Sequence, residues 1–169
     1  MALDGGRKGG MRIALYQPDI PPNLGTILRL GACLGVAVDV IEPCGFALTD
    51  HGLRRAALDY LIQADWVRHD SWTAYLGARG PGAGRLVLLT TRATQPYTAF
   101  RFRRDDVLLF GRERQGVPES VQRAADARLR IPLRPRLRSL NVAVACAMVV
   151  GEALRQTRQF PTPPEGARG

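Results

Sequence analysis

The stretch "LLFGRERQGVP" (Leu108–Pro118) begins with an apolar run and turns polar at Gly111. A short apolar run bounded by glycine is typical of a buried strand that leads into a loop. We therefore predict a strand over Asp106–Gly111. Similar runs predict further strands at Arg12–Tyr16, Val36–Ile41, Arg85–Thr91 and Ala127–Leu133, and a shorter one within "DWVRHD". Helical patterns lie between these runs, and this alternation predicts an α/β fold: a mostly parallel sheet flanked by helices.

The two glycines of this stretch have the spacing of a phosphate-binding loop, because four residues separate Gly111 from Gly116. Such a loop also needs a lysine for the outer phosphates and a Ser/Thr hydroxyl for magnesium. Val117 and Pro118 occupy those positions, and Glu113 would repel a phosphate. The sequence therefore argues against a nucleotide-triphosphate site and favours a loop that serves another ligand.

Two of the predicted helices carry candidate functional residues on them or at their N-terminal caps. Asn23 is placed to cap a helix over Leu24–Leu34, on which Arg29 faces away from the apolar side. Ser139 or Asn141 is placed to cap a long helix that ends near Arg158. Shorter helices are predicted around Leu53–Ile62, after a Ser71 cap, and from Pro118 to about Ala125.

The charge of the chain indicates a polyanionic partner. The net charge is +9 and the sequence pI is about 10.6. Lys8 is the only lysine, so arginine carries almost all of this charge, and arginine binds phosphate in a bidentate manner. Arg134, Arg136 and Arg138 alternate along the loop before the last helix, where they could reach separate phosphates. We therefore expect an RNA or DNA partner, although a basic loop before a core helix would look the same.

The sequence predicts one domain over residues 11–159, with a flexible leader at 1–10 and a flexible Pro/Gly tail at 160–169. No apolar run reaches the roughly 18 residues that a membrane helix needs, so no membrane association is expected. Cys33, Cys44 and Cys146 lack C-x-x-C spacing, which is typical of reduced thiols in a cytoplasmic protein. His51 and His69 are far apart without a cysteine partner, so we expect no metal site.

In their order and spacing, six segments resemble the SPOUT superfamily of RNA methyltransferases. Within it, the chain is most similar to the short tRNA (cytidine/uridine) 2′-O-methyltransferases that act at the wobble position. The matching segments span Arg12 to Gln156: "ALYQPDIPPNLGTILRLGACLGV", "IEPCGF", "RRAALDY", "LLTTRAT", "LLFGRERQGVP" and "RIPLRPRLRSLNVAVACAMVVGEALRQ". The resemblance implies a deep C-terminal trefoil knot, S-adenosyl-L-methionine as cofactor, tRNA as substrate and a homodimer.

The resemblance also implies which residues form the site. The cofactor would lie among the ends of three strands and the last loop, against Leu89, Thr90, Gly111, Ile131, Leu133, Ser139 and Leu140. Arg29 would activate the ribose hydroxyl, with Asn23 holding its loop and Arg138 and Ser139 placing the substrate. Because arginine stays protonated in proteins, it is left open whether Arg29 is the base or an orienting group. The RNA-binding residues would be Arg29, Arg134, Arg136 and Arg138.

Three positions depart from the pattern of this group. Thr26 stands where these enzymes often have asparagine, Ala143 where serine is common, and Gly151 where an aromatic residue is common. Glycine inside a helix is about 1 kcal/mol less favourable than alanine. Two other functions remain open on the sequence: methylation of another tRNA or rRNA ribose, and RNA binding without catalysis.

Overall fold

The computed structural model describes residues 9–49 and 58–162. Its seven strands are β1 (Arg12–Tyr16), β2 (Ala37–Ile41), β3 (Trp66–His69), β4 (Leu86–Leu89), β5 (Gln95–Pro96), β6 (Val107–Phe110) and β7 (Ala127–Arg130). They form one sheet in the order β3-β2-β1-β6-β4-β7-β5, and every pairing between neighbours is parallel. The predicted parallel α/β sheet is thus confirmed.

The helices are α1 (Pro21–Leu34), α2 (Trp72–Arg79), α3 (Glu119–Ala124) and α4 (Val142–Thr157). Two 3₁₀ helices cover Leu58–Ile62 and Tyr97–Ala99. The Ser71 side chain caps α2 by accepting a hydrogen bond from Ala74 N, as predicted. Of the helix predicted over Leu53–Ile62, residues 58–62 form a short 3₁₀ helix. Residues 53–57 lie outside the described residues.

The two faces of the sheet bury different side chains, because successive residues of a strand point to opposite sides. On one face, Ile13 and Leu15 of β1 and Leu108 of β6 pack with α1 and α4. On the other face, Ala14 and Leu109 pack with Tyr75 of α2 and with Val121 of α3. Helices therefore cover both faces, which leaves the edge at the strands' carboxyl ends as the place where loops converge.

Several strands are shorter than the apolar runs suggested, and one was not predicted. β4 ends at Leu89 rather than Thr91, and β7 ends at Arg130 rather than Leu133. Pro132 has no N–H to extend the ladder of β7. The unpredicted strand β5 has two residues and lies at the sheet edge, the position where a strand tolerates its Pro96.

The prediction that Asn23 caps α1 is wrong. The helix begins three residues earlier than predicted, at Pro21, with Ile20 as the N-cap and no side-chain cap bond. Proline suits the first helical positions, since its fixed φ is already helical and its missing N–H would have no partner there. Asn23 is therefore inside the first turn, and its buried side chain is free to bond to other parts of the chain.

The trefoil knot stays a prediction, because strand order and register do not define how the chain passes through a loop. The order does put β6 beside both β1 and β4. The resemblance assigns the knot to the segments from "LLTT" through "LLFGRERQGVP" to the "RSLN" helix, and the first two of these adjoin the neighbouring strands β4 and β6. The domain boundaries at residues 10 and 160 also stay predictions, since residues 1–8 and 163–169 lie outside the described residues.

Candidate active site

A cavity of about 370 Å³ lies at the carboxyl edge of the sheet. Its walls are the loops after β4, β6 and β7 and the loop before α4. In open parallel sheets ligands bind at this edge, and cavities of this size suit small-molecule ligands. The three strand ends that the sequence indicated therefore meet around one cavity.

All seven residues that the resemblance assigned to the cofactor line this cavity. Leu89 and Thr90 come from β4 and its loop, and Gly111 follows β6. The remaining four come from the two segments around the basic loop, which are Ile131, Leu133, Ser139 and Leu140. The lining combines apolar side chains with the hydroxyls of Thr90 and Ser139, a mixture typical of a ligand pocket.

The glycine loop after β6 is closed on itself. Arg112 N donates to Gly116 O at 3.0 Å, and Gly116 N donates to Arg112 O at 2.9 Å. A Cβ atom at Gly111 would lie 2.6 Å from the carbonyl carbon of Gly116, and Gly116 has a φ of 65°. The close approach of the Gly116 backbone thus requires a residue without a side chain at position 111.

Glu113 joins this loop to the start of α1. Its carboxylate accepts hydrogen bonds from Asp19 N at 2.7 Å, Ile20 N at 3.3 Å and Asn23 Nδ2 at 3.2 Å. The sequence suggested only that Glu113 disfavours phosphate. Its structural role could not be found by local pattern, because its partners lie 90 or more positions earlier in the chain.

Asn23 extends the same network to α4. Its Oδ1 accepts a hydrogen bond from Asn141 Nδ2 at 2.9 Å. Asn141 Oδ1 accepts from Ala143 N at 2.8 Å and Val144 N at 3.3 Å, so Asn141 rather than Ser139 caps α4. The cavity loop and the N-termini of two helices are thereby held in one arrangement, which leaves Ser139 to face the cavity.

A second contact fixes the glycine loop to the loop after β1. Arg112 Nη2 donates to Asp19 Oδ1 at 2.7 Å, and Arg112 Nε lies 3.1 Å from the same oxygen. The hydrogen bonds to Asp19 raise the pKa of Arg112 above its usual range. Arg112 is therefore a charged structural link between two loops.

The predicted RNA-binding arginines do not all lie at the cavity. Arg138 lines it, whereas Arg134, Arg136 and Arg29 do not. Arg134 and Arg136 are exposed in the same loop, in a turn closed by Leu137 N donating to Arg134 O at 3.2 Å. Arg29 is exposed on α1, six residues after Asn23. The structure thus brings Arg138 to the cavity and leaves the other three on the surface.

The cysteines near the core are poor nucleophiles. Burial raises the pKa of Cys44 to about 12, and burial also raises that of Cys146. A thiol is reactive as a thiolate, so neither sulfur is activated for covalent catalysis.

The described part of the chain holds neither a cluster of metal ligands nor a membrane-spanning helix. Within residues 9–49 and 58–162, no three His, Cys, Asp or Glu side chains group as metal ligands. No helix in that same part of the chain has the length and apolar character to cross a membrane.

The fold and cavity define an α/β domain that binds a small molecule at the carboxyl edge of its sheet, beside a loop rich in arginine. The sequence model of the SpoU rRNA Methylase family matches residues 10–151, so the chain belongs to that family. The predicted membership of an RNA methyltransferase family, and with it the enzyme class, is confirmed.

Comparison with individual proteins is more specific than the family match. The chain is 62% identical over 144 residues to a tRNA (cytidine(34)-2′-O)-methyltransferase from Beijerinckia indica subsp. indica, covering 85% of this chain and 90% of the relative. A solved structure on the 2-OH methylation of C/U34 of tRNA matches with a TM-score of 0.81 and 41% identity, over 88% of this chain and 97% of that chain.

A third protein was solved with a cofactor. The SpoU methyltransferase AviRb from Streptomyces viridochromogenes, in complex with AdoMet, matches with a TM-score of 0.79 and 25% identity. The match covers 89% of this chain and 58% of that chain.

Proposed function

We propose that this protein methylates the ribose 2′-oxygen of the wobble nucleotide of tRNA, a cytidine or uridine, with S-adenosyl-L-methionine as methyl donor. The observation that carries the proposal is the 62% identity to a tRNA (cytidine(34)-2′-O)-methyltransferase over 144 residues. That identity extends across the segments that build the cavity. A tRNA substrate also makes the cytoplasm the expected place of action.

The cavity supports the choice of cofactor. Its apolar walls, formed by Leu89, Ile131, Leu133 and Leu140, suit an adenine ring, and the hydroxyls of Thr90 and Ser139 suit a ribose or an amino-acid group. The closed loop at Gly111–Gly116 offers no open cradle for phosphate, which agrees with a ligand that has none. When bound, the cofactor supplies a methyl group already activated on a sulfonium.

The chain's own residues would position the acceptor. Methyl transfer to a ribose requires the 2′-oxygen to lie in line with the methyl group and to lose its proton, so positioning supplies much of the rate. We assign Arg29 to the ribose and phosphate, since it is exposed and presents N–H donors. Arg138 and Ser139 face the cavity and would hold the same nucleotide, while Arg134 and Arg136 would bind flanking phosphates.

A homodimer completes this proposal. Val144 and Met148 lie one turn apart on the outer side of α4, with 51% and 39% of their surfaces exposed. Leu140, in the loop just before the helix, is exposed to 39% and extends this apolar stripe toward the cavity. A second copy of the chain would cover this stripe. The stripe begins at the cavity wall, so the partner would lie close to the RNA-binding loop.

The experiment that tests the proposal is radiolabelled methyl transfer into bulk tRNA from a strain that lacks the enzyme, followed by nucleoside mapping. We expect label on the 2′-oxygen of nucleotide 34. Label at another ribose would support a different RNA target. Calorimetry with S-adenosyl-homocysteine separates the enzyme from an RNA-binding protein without catalysis, which would bind tRNA but not this ligand.

A further inference from the structure

Arg29 rests on the face of an aromatic ring. Its guanidinium carbon lies 4.5 Å from the centroid of the Tyr60 ring. Its Nη2 lies 3.5 Å from the Tyr60 hydroxyl oxygen. The distance to the centroid falls within the roughly 6 Å over which the negative ring face attracts a cation. The ring is thus a partner of the side chain to which the proposed function gives the central role.

Two other arginines stack on rings, but each has a stronger partner. Arg85 lies 4.8 Å from the Phe100 ring and also donates to the buried Asp106 carboxylate at 2.8 Å. Arg79 lies 5.8 Å from the Tyr75 ring and also donates to the carbonyl of Gly84. For Arg29, no carboxylate lies within ion-pair distance among the side chains that the structure describes, so the ring is its principal contact.

The Tyr60 ring is held in place by its own segment. The carbonyl of Tyr60 accepts hydrogen bonds from Gln63 N at 3.1 Å and Ala64 N at 2.9 Å, which fix the 3₁₀ turn. The next residue, Leu61, packs against the core. Tyr60 itself is half-buried. The ring therefore provides a fixed surface, whereas an exposed arginine without such a surface would sample many rotamers.

A fixed ring lowers the entropy that Arg29 loses when it binds RNA. Immobilising a long side chain at an interface costs conformational entropy, and preorganisation removes part of that cost. The ring contacts one face of the guanidinium, while most of its N–H donors in the plane stay accessible to phosphate and ribose oxygens. The pairing thus fits an arginine that acts as an oriented cation.

We propose that Tyr60 is a positioning residue, which holds the Arg29 guanidinium in the orientation that engages the target ribose and phosphate. This inference rests on the proposed function, because it gives Arg29 its substrate. It assigns to Tyr60 no contact with the cofactor cavity, which it does not line. The ring face, rather than the hydroxyl, carries the effect.

The experiment compares Tyr60→Phe with Tyr60→Leu in single-turnover methyl transfer to tRNA. Leucine removes the ring but keeps an apolar side chain, so the rate should fall about five- to tenfold, the range expected for losing a cation–π contact. Phenylalanine keeps the ring, so its rate should stay within about twofold. Binding of S-adenosyl-homocysteine should be unchanged in both. In an Arg29→Ala background, Tyr60→Leu should cause no further loss, because the two residues act as one unit.

Phe100→Leu is the matched control, since it removes the ring under Arg85 at the other end of the sheet and should leave the rate unchanged. A wild-type rate for Tyr60→Leu, or an equal loss for Tyr60→Phe, overturns the inference. A wild-type protein that methylates no RNA instead overturns the proposed function. A second readout then still decides the inference: NMR of the Arg29 side-chain protons should show an upfield ring-current shift that Tyr60→Leu abolishes and Tyr60→Phe keeps. If that shift is absent from the wild-type protein, the inference is wrong.

Discussion

At the scale of single residues, Arg29 lies outside the cavity, pairs with no described carboxylate and stacks on the Tyr60 ring, so the substrate is the partner that we assign to its N–H donors. Arg29→Ala should therefore lower methyl transfer about 100-fold or more, the cost of a misplaced acceptor. Binding of S-adenosyl-homocysteine, measured by calorimetry, should be unchanged.

Arg123→Ala is the matched control, because Arg123 is also an exposed helix arginine and pairs with the exposed Glu119 at 3.3 Å. It should keep nearly full activity. An active Arg29→Ala variant would contradict the assignment, and a variant that loses the ligand as well would point to a role in the cavity instead.

Asp39 is the residue whose protonation should govern acid stability. It accepts from Arg12 Nε at 2.8 Å, and His69 Nε2 lies 2.8 Å from its other oxygen, so the three side chains bridge β1, β2 and β3. Burial raises the pKa of Asp39, but hydrogen bonds from His69 and Arg12 outweigh it and hold the pKa below the ordinary value of 3.8. A lowered pKa stabilises the fold above the unfolded value and loses this contribution as the pH falls through the folded value.

Asp39→Asn should therefore lower the free energy of unfolding by about 3 kcal/mol at pH 7, since it leaves Arg12 partly buried without its partner. Below about pH 4, the stability of the variant should also fall less steeply than that of the wild type. Urea denaturation across pH 2–7 measures both. Glu119→Gln, on the exposed surface, should change stability by less than about 0.5 kcal/mol. An unchanged acid profile in Asp39→Asn would show that other carboxylates govern it.

At the scale of elements, the glycine loop and α4 contain glycines that differ in what surrounds them. A methyl group at Gly111 would collide with the Gly116 backbone, whereas one at Gly151, inside α4, would meet nothing within 4 Å. Gly111→Ala should therefore lower the free energy of unfolding by about 1–3 kcal/mol and weaken binding of S-adenosyl-homocysteine. Gly151→Ala should raise the free energy of unfolding by about 0.5–1 kcal/mol.

Urea denaturation and calorimetry on both variants check this pair. Because they make the same chemical change, a general effect of added volume cannot produce opposite signs. Equal stability of Gly111→Ala and wild type would mean that the closed loop relaxes at no cost, and the closure would then not need glycine.

At the scale of the whole molecule, the sequence predicted what depends on local pattern. The apolar runs predicted all the described strands except β5. The ends of three of them line the cavity, because parallel strands bring their carboxyl ends to one edge. The cap on α1 was mispredicted because the helix starts at Pro21, before Asn23. The bonds of Glu113 and the ring under Arg29 join positions 31 or more apart, and such contacts leave no periodic signal.

The exposed stripe on α4 makes assembly the property of the whole molecule that is most open to test. Val144→Glu places a charge in the middle of the stripe, so light scattering should change from a dimer to a monomer, and methyl transfer should fall with it. Leu76→Glu is the control, since Leu76 on α2 is exposed to 40%, close to the 39% of Met148, but lies on the opposite face of the sheet. It should leave both the mass and the rate unchanged. If Val144→Glu remains a dimer, another surface joins the two chains, and if it is a fully active monomer, the RNA site is complete within one chain.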